Sequence, residues 1–325
     1  AALEGKLRHL GVMECPKATT LSYANAHRPW QLYEALFHQT LARCQTEAAA
    51  RTKRKFRFSH KLLSLDSTLV ELCAETFDWA RYKRAKGALK LHLVLDHDGC
   101  LPCYAVVTEG RRADVKEAQR IQFAPGTLVV FDRGYADYDW WLELTRSKVA
   151  FVTRLKDNAS YGIVERRPVR PGSEILRDEV ILLTSQQEVG PEARLRRIEV
   201  WLEDKQETMV FVTNNLKLAA ATIPRIFRER WRIELFFKAL KQGLKMETFV
   251  GTTENAVQIQ IWTALIAMLV LRYLQMRSPF NWSLSNMIAL LRQQLSVCRD
   301  LWTWLNNPYQ APPPLVAAEQ LTLGL

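Results

Sequence analysis

The sequence predicts an α/β fold in which a mixed sheet is covered by helices and interrupted by a small β-rich insertion. Strand-like and helical segments alternate over residues 61–157 and resume at 206. Between these two regions, proline and glycine separate short strand-like pieces. An amphipathic helical pattern follows at 226–244. Together these patterns predict a sheet-based core that carries an insertion.

Composition favours a folded protein with a polyanionic partner. The chain has 325 residues, of which 48% are hydrophobic, so a large core can form. Forty-five Lys and Arg residues against 34 Asp and Glu residues give a net charge of +11, which favours nucleic acid as the partner. The apolar segment 261–271 is shorter than the roughly 20 residues that cross a bilayer. We therefore expect a soluble protein without a membrane anchor.

The cysteines and the first residue bear on the cellular setting. Among six cysteines, only Cys100 and Cys103 are close in sequence, and no second pair at similar spacing accompanies them. A structural zinc site would need such a pair, so we expect free thiols in a reduced, cytoplasmic protein. Because the chain begins with Ala1 rather than Met, we expect the natural N-terminus to be processed or absent.

The N-terminal region, residues 1–55, is predicted to be a helical DNA-binding or linker region. Its helical pattern ends in the basic run 51–55, which predicts a DNA contact or a linker. We assign the apolar face of this helical region to four residues, Trp30, Leu32, Leu36 and Leu41.

The catalytic core is predicted at 56–157 and 206–295, around the insertion at 158–205 and before a C-terminal tail at 296–325. Strands are expected at Lys61–Leu72, Ala88–Leu95, Leu101–Thr108, Leu128–Phe131, Ala150–Arg154, Val180–Leu183, Arg197–Trp201 and Thr208–Thr213. Helices are expected from Asp114 and over Tyr135–Ser147. The run of prolines at 312–314 ends regular structure in the tail.

The segment 227–241 has two chemically different faces when it is drawn as one helix. Relative to Arg230, three further residues fall within about 80° on one side, namely Lys241, Glu234 and Lys238. Phe227 falls within the same arc. The opposite arc is apolar and predicts a face docked on the sheet, made of Ile226, Ile233, Phe236, Phe237, Leu240 and Leu244.

Two interpretations of the polar face stay open at this point. It is a solvated face in which Glu234 forms ordinary pairs with Arg230 and Lys238, or its cations bind phosphates while Glu234 binds a divalent metal. The second interpretation requires two more carboxylates. Asp66 and Asp132 are candidates because both lie on strand-like segments. Asp132 directly follows a buried apolar run, where a carboxylate is costly unless it is paired or bound to metal.

These candidates have alternatives. Asp132 can form an Asx turn with Gly134, and Asp66 has two rivals at a strand end, Asp96 and Asp98. The rivals resemble turn formers because Gly99 follows them. Periodicity leaves the choice open, since each of these positions fits a sheet edge.

Several blocks of this sequence resemble bacterial insertion-sequence transposases of the DDE type, in the IS-four family. The family signature Tyr-x2-Arg-x3-Glu-x6-Lys is matched by Phe227, Arg230, Glu234 and Lys241. Other matching blocks are Leu65-Asp-Ser-Thr68, Phe77-Asp-Trp-Ala-Arg-Tyr82 with Lys86-Gly87 and Lys90-Leu-His92, Phe131-Asp-Arg-Gly-Tyr135, and Phe151-Val-Thr-Arg-Leu-Lys156. The resemblance covers residues 20 to 275 and departs from the signature at Phe227, which replaces a tyrosine.

The resemblance implies a ribonuclease-H-like core whose catalytic, metal-binding residues are Asp66, Asp132 and Glu234. It implies two Mg²⁺ ions, with Mn²⁺ as a substitute, because carboxylate oxygens suit hard cations that activate the attacking oxygen and stabilise the leaving one. DNA contacts are implied for Arg230, Lys238, Lys241, Arg154, Lys156 and the Phe227 ring. The insertion would help to clamp the DNA.

The implied activity is cleavage at transposon ends followed by strand transfer into target DNA. The partners would be double-stranded DNA and a second copy of the chain, as a homodimer on paired ends, in the bacterial cytoplasm at the nucleoid. Two alternatives are a metal-dependent nuclease with the same core and an inactive, non-transposing DNA-binding relic. A cleavage assay with both DNA ends separates them.

Overall fold

A computed structural model of the chain confirms the predicted α/β class. It describes residues 11, 13–14, 16–51, 56, 58, 60–73, 81–83, 86–204, 206–244, 251–294 and 299–309. Within these residues, ten strands form one mixed sheet. Helices pack on both faces of this sheet.

All the predicted strands are present. Those of the predicted core are β1 (Lys61–Cys73), β2 (Arg81–Lys83), β3 (Lys86–Asp96), β4 (Leu101–Glu109), β5 (Thr127–Val130) and β6 (Ala150–Arg154). Those that follow are β7 (Tyr161–Arg166), β8 (Ile175–Leu183), β9 (Arg194–Leu202) and β10 (Glu207–Thr213). Eight of these ten strands overlap a predicted position, because apolar alternation and flanking turn residues mark strands well. The short strands β2 and β7 were not predicted.

The first strands form the ribonuclease-H-like arrangement. β3 lies antiparallel between β1 and β4, whereas β1 pairs in parallel with β5 and β5 in parallel with β6. The resulting order is β4-β3-β1-β5-β6, and β2 adds to β3. This order confirms the predicted fold class and brings β1, β5 and β6 side by side at the centre.

The strands of the insertion extend this sheet. β10 pairs antiparallel with β6, and β9, β8 and β7 follow outward from β10. Arg196 on β9 and Asp178 on β8 form a buried ion pair at 2.6 Å. Arg196 also donates to the Leu218 carbonyl, in the segment that leads back to the helices. Residues 158–205 are therefore joined to the core by backbone and side-chain contacts.

The N-terminal region is helical where it is described, but its buried face differs from the predicted one. The helices are α1 (Ala18–His27) and α2 (Gln31–Arg51). Leu32 and Leu36 are 62% and 47% exposed, so these two members of the predicted apolar face were wrong. Leu41 is buried and Trp30 packs against the core, as predicted. The residues that α2 buries are Phe37, Leu41, Cys44 and Ala48. The small residues of this set were overlooked, although they allow close packing against the core. Residues 52–55 of the basic run lie outside the described residues.

The remaining helices cover the two faces of the sheet. They are α3 (Asp114–Ala118), α4 (Tyr138–Arg146), α5 (Thr222–Glu229), α6 (Trp231–Lys238), α7 (Glu254–Arg277), α8 (Leu284–Gln294) and α9 (Leu301–Asn306). β5 shows how the faces are divided: Val129 and Phe131 pack with α4, whereas Leu128 and Val130 pack with α5. A strand buried on both faces was predicted here.

α7 is long and apolar enough to cross a membrane by length and composition alone. Most of its apolar side chains are buried, and Val257, Ile261 and Leu265 belong to the cluster formed with α2, β3 and α6. This is the packing of a core helix.

Near the C-terminal end of the described residues, α9 lies within the segment predicted as a tail and buries Trp304 beside Trp282. The prolines at 312–314 lie outside the described residues.

Candidate active site

Strand register brings Asp66, Asp132 and Arg154 to one level of the sheet. Ser64 pairs with Val130 across β1 and β5, and Val130 pairs with Val152 across β5 and β6. Asp66, Asp132 and Arg154 each follow one of these paired residues, Ser64, Val130 and Val152, by two positions. Since side chains two residues apart share a face, all three project towards the side of the sheet that α5 and α6 cover.

The signature segment is helical but not one regular helix. α5 and α6 are separated at Arg230, and a π-helical turn, Ala239–Gly243, follows α6. The predicted apolar residues Ile226, Ile233, Phe236, Phe237 and Leu240 are all buried, as expected, and Leu244 packs against the core. The break and the π turn, which periodicity did not predict, set the directions of Arg230 and Lys241.

Arg230 connects two of the predicted metal ligands. Its guanidinium lies 3.4 Å from Asp66 Oδ2 and 2.6 Å from Glu234 Oε1. The Arg230–Glu234 contact is the ordinary helical pair that the first interpretation expected. The contact with Asp66 goes beyond it, because it places the signature segment directly on β1.

Asp66 lies in an environment that disfavours its charge. The pKa of its carboxyl is raised to about 6, mainly by burial and to a smaller extent by the nearby carboxylates Glu234 and Asp132. The Ser67 backbone N–H and Arg230 act in the opposite direction and lower the pKa. A carboxylate of this kind is stabilised by additional positive charge.

Asp132 lies at the expected strand end, and its side chain begins a turn through Arg133 rather than through Gly134. Its carboxylate accepts a hydrogen bond from the Arg133 backbone N–H at 2.7 Å, which begins a short 3₁₀ turn, Arg133–Tyr135. The same Oδ1 atom lies 3.5 Å from the Arg154 guanidinium. A local turn therefore fixes the carboxylate at the strand end without enclosing it.

The rivals of Asp66 form a turn, as predicted. Asp96 is buried, pairs with Lys61 at 2.7 Å and accepts a hydrogen bond from the Asp98 backbone N–H. Gly99 and Cys100 follow with positive φ. Lys61 therefore balances the negative charge of Asp96 by an ion pair.

The predicted lysine contacts occupy three different settings. Lys238 is exposed. Lys241 Nζ donates to the Leu69 carbonyl of β1 at 2.6 Å, and Lys156 Nζ lies 3.4 Å from the Ala136 carbonyl. Lys241 thus ties the end of the signature segment to the strand that carries Asp66, and its role towards DNA stays a prediction.

A cavity of about 500 Å³ opens beside Asp132 and Arg154. The Phe227 ring lines it, lies 5.1 Å from the Phe211 ring between centroids, and is covered by the Arg230 guanidinium at 5.6 Å. The wall also includes Trp231, which is 57% exposed. Sequence reasoning missed Trp231; an aromatic residue directly after the signature arginine was the available signal.

A second cationic surface lies at α3, close to the strand that carries Asp66. Ser67 donates to Asp114, the first residue of α3, at 2.6 Å, so α3 begins beside the site. Next to it, a groove is lined by Arg112, Lys116, Gln119 and Arg120. The buried Glu117 pairs with both arginines, whereas Lys116 is exposed. We call this groove the α3 surface; sequence reasoning missed it.

A scan of the chain against family models identifies its family. Residues 57–270, about two thirds of the chain, match the family described as transposase DDE domain. The chain belongs to the DDE transposase family. The match contains all three carboxylate candidates and both arginines that contact them.

Curated transposases are similar along most of their length. A provisionally named transposase of Sinorhizobium fredii, y4zB, is 29% identical over 92% of this chain and 82% of its own. A transposase assigned to the insertion sequence element IS5377 of Geobacillus stearothermophilus is 29% identical over 86% of this chain and 73% of its own. Among solved structures, a piggyBac transposase synaptic complex with hairpin DNA has a TM-score of 0.43 at 12% identity, covering 78% of this chain and 55% of that one.

Family membership fixes the general activity. The transposase is an enzyme that binds DNA, cleaves it and transfers strands, and its family uses divalent metal. The carboxylate oxygens of Asp66, Asp132 and Glu234 are suitable hard ligands for such an ion. In the described part of the chain, however, no three His, Cys, Asp or Glu side chains converge closely enough to hold a metal ion. Asp66 and Asp132 share one level of the sheet, and each of the three carboxylates is paired with an arginine.

Proposed function

We propose that Asp66, Asp132 and Glu234 are the catalytic, metal-binding carboxylates of an insertion-sequence transposase that cuts transposon ends and joins them to target DNA. The observation that supports this most strongly is the shared level of Asp66 and Asp132 on adjacent parallel strands, with Arg230 linking Asp66 to Glu234. The spacing from Phe227 to Lys241 supports the IS-four family. A similar transposase assigned to element IS4SA of Synechocystis, 24% identical over 223 residues, supports it too.

Two Mg²⁺ ions, or Mn²⁺ in their place, would supply activation of the attacking oxygen and stabilisation of the leaving oxygen. The residues of this chain position the DNA. Arg230 and Arg154 hold phosphates beside the carboxylates, since planar guanidinium groups suit phosphate oxygens. Asp132 is kept at the strand end by the Arg133 N–H, so its remaining oxygen stays available.

DNA is proposed to cross the site between two cationic surfaces. On one side lie the cavity and its Phe227 wall, with Lys156, Lys238 and Lys241 as further phosphate contacts. On the other side lies the α3 surface. A duplex needs positive charge along its path rather than at one point, and the α3 surface supplies further cations near the strand that carries Asp66.

The assembly and setting follow from the reaction. Joining two transposon ends requires two active sites in one complex, so we propose a homodimer on paired DNA ends. Its setting is proposed to be the bacterial cytoplasm at the nucleoid. Analytical ultracentrifugation with and without DNA ends measures this, and a monomer on DNA would contradict the dimer.

The catalytic assignment is tested with three isosteric variants, Asp66→Asn, Asp132→Asn and Glu234→Gln. Each removes a metal-binding charge and keeps side-chain size, so Mg²⁺-dependent cleavage should be lost while DNA binding persists. The matched control is Asp96→Asn, another carboxylate at a strand end. An active Asp66→Asn together with an inactive Asp96→Asn would contradict the first carboxylate.

Strand transfer is measured separately with pre-cut ends that carry a free 3′-hydroxyl. Wild-type protein should join them to target DNA. Cleavage without joining would indicate a nuclease with this core, and DNA binding without either step would indicate a relic.

A further inference from the structure

Arginine contacts hold the proposed metal ligands in ion pairs. The Arg230 guanidinium contacts Asp66 at 3.4 Å and Glu234 at 2.6 Å, and the Arg154 guanidinium contacts Asp132 at 3.5 Å. These are the same carboxylate groups that a divalent cation would bind. A guanidinium and a metal ion compete for such oxygens, because both are attracted by the same negative charge.

Both arginines also have unused hydrogen-bonding capacity. Arg230 Nε and Arg154 Nε are buried and have no hydrogen-bond partner. A buried donor without a partner costs about 1–3 kcal/mol, so the present pairing satisfies these side chains only in part. A ligand with several acceptor oxygens would complete it.

The two arginines face one shared space. Both line the cavity of about 500 Å³ beside Asp132. Two guanidinium groups around one opening form a site for an anion with several oxygens, and a DNA phosphate is such an anion. The groups that neutralise the carboxylates are thus the groups best placed to receive the DNA backbone.

We propose that Arg230 and Arg154 exchange partners, from the carboxylates to a DNA phosphate, and thereby couple divalent-cation binding to DNA binding. This inference rests on the proposed function, in which Asp66, Asp132 and Glu234 are the metal ligands. Without DNA, the arginines oppose cation binding; with DNA, their charge is taken up by phosphate and the carboxylates are released. Coupling of this kind is reciprocal, so each ligand strengthens binding of the other.

Isothermal titration calorimetry of the full chain with Mn²⁺, in the absence of DNA, tests the competition. Arg230→Gln should bind Mn²⁺ more tightly than wild type, by roughly 5- to 150-fold, the usual range of coupling between sites. Arg154→Gln should change affinity in the same direction. The matched control is Arg232→Gln. It removes an arginine from the start of α6 whose partner, Glu229 at 3.1 Å, is not a proposed ligand.

A second titration uses the protein saturated with a 20-base-pair duplex, corrected for Mn²⁺ that binds the duplex itself. The duplex should raise the Mn²⁺ affinity of wild type and of Arg232→Gln, and should raise that of Arg230→Gln much less. If Arg230→Gln does not fold, as judged by its melting curve, Arg154→Gln gives the same comparison.

Failure of this inference is distinguishable from failure of the proposed function. Unchanged or weaker Mn²⁺ binding in both Arg230→Gln and Arg154→Gln would overturn the exchange of partners. Wild-type Mn²⁺ affinity in Glu234→Gln would instead remove Glu234 as a ligand, and the proposed function with it. Loss of Mn²⁺ binding in Glu234→Gln, with tighter binding in the arginine variants, supports both.

Discussion

Phe227→Tyr restores the hydroxyl that the family signature carries at this position, and we expect it to strengthen DNA binding. The ring is half-buried: one side packs on Phe211, the Arg230 guanidinium covers it, and it lines the cavity beside Asp132. A hydroxyl at the ring tip that enters this cavity meets the proposed phosphate site. One new hydrogen bond contributes about 1 kcal/mol, which corresponds to roughly fivefold tighter binding.

The assay is fluorescence anisotropy with duplexes made from the DNA that flanks the coding sequence, combined with a thermal melt. Phe227→Leu is the control, because it removes the ring under Arg230 and should weaken binding, whereas Phe227→Tyr keeps the ring. The reasoning is refuted if Phe227→Tyr lowers the melting temperature without tightening binding. The hydroxyl would then point into the Phe211 cluster, where an unpaired hydroxyl costs about 1–3 kcal/mol.

Two further predictions concern charge. The double variant Lys116→Ala, Arg120→Ala should reduce the slope of log DNA affinity against log salt by about 2, roughly one per lost phosphate contact. The control is the double variant Lys148→Ala, Lys217→Ala, which lies at the opposite end of β6 and should leave the slope unchanged. Equal slopes in the two double variants would remove the α3 surface from the DNA path. Burial lowers the pKa of His92 from 6.5 to about 4. The unfolded chain therefore binds more protons between these values, and the free energy of unfolding of the wild type should fall as the pH is lowered from 6.5 to 4. Urea unfolding of His92→Gln should lack this loss, which reaches about 3 kcal/mol; parallel pH curves would contradict the buried neutral histidine.

The face that the signature segment buries was predictable because helical periodicity is a property of the sequence itself. Ile233, Phe236 and Leu240 recur at helical spacing and are fully buried. The proximity of Asp66 and Asp132 could not be predicted in this way. Their common level depends on the pairing of Ser64 with Val130, and strand register between distant segments leaves no local pattern.

The same limit explains what sequence reasoning missed. The cavity exists because Phe211 and Phe227 approach from a strand and a helix, and the α3 surface lies beside Asp66 because Ser67 contacts Asp114. Each is a contact between separate segments. In α2, the error had another cause: large exposed apolar residues were given more weight than Ala48, whose small side chain is suited to close helix packing.

The continuity of the sheet from β6 through β10 to β9 determines how mechanical tension reaches the active site. The β9–β10 ladder runs from Leu202 paired with Glu207 to Arg196 paired with Thr213, and Phe211 of β10 pairs with Arg154. A load applied to the strands of the insertion is therefore shared among many backbone hydrogen bonds before it reaches the strand that carries Arg154. The insertion strands and β6 are thus expected to move together as one continuous sheet, so that a ligand that displaces the insertion would also displace Arg154.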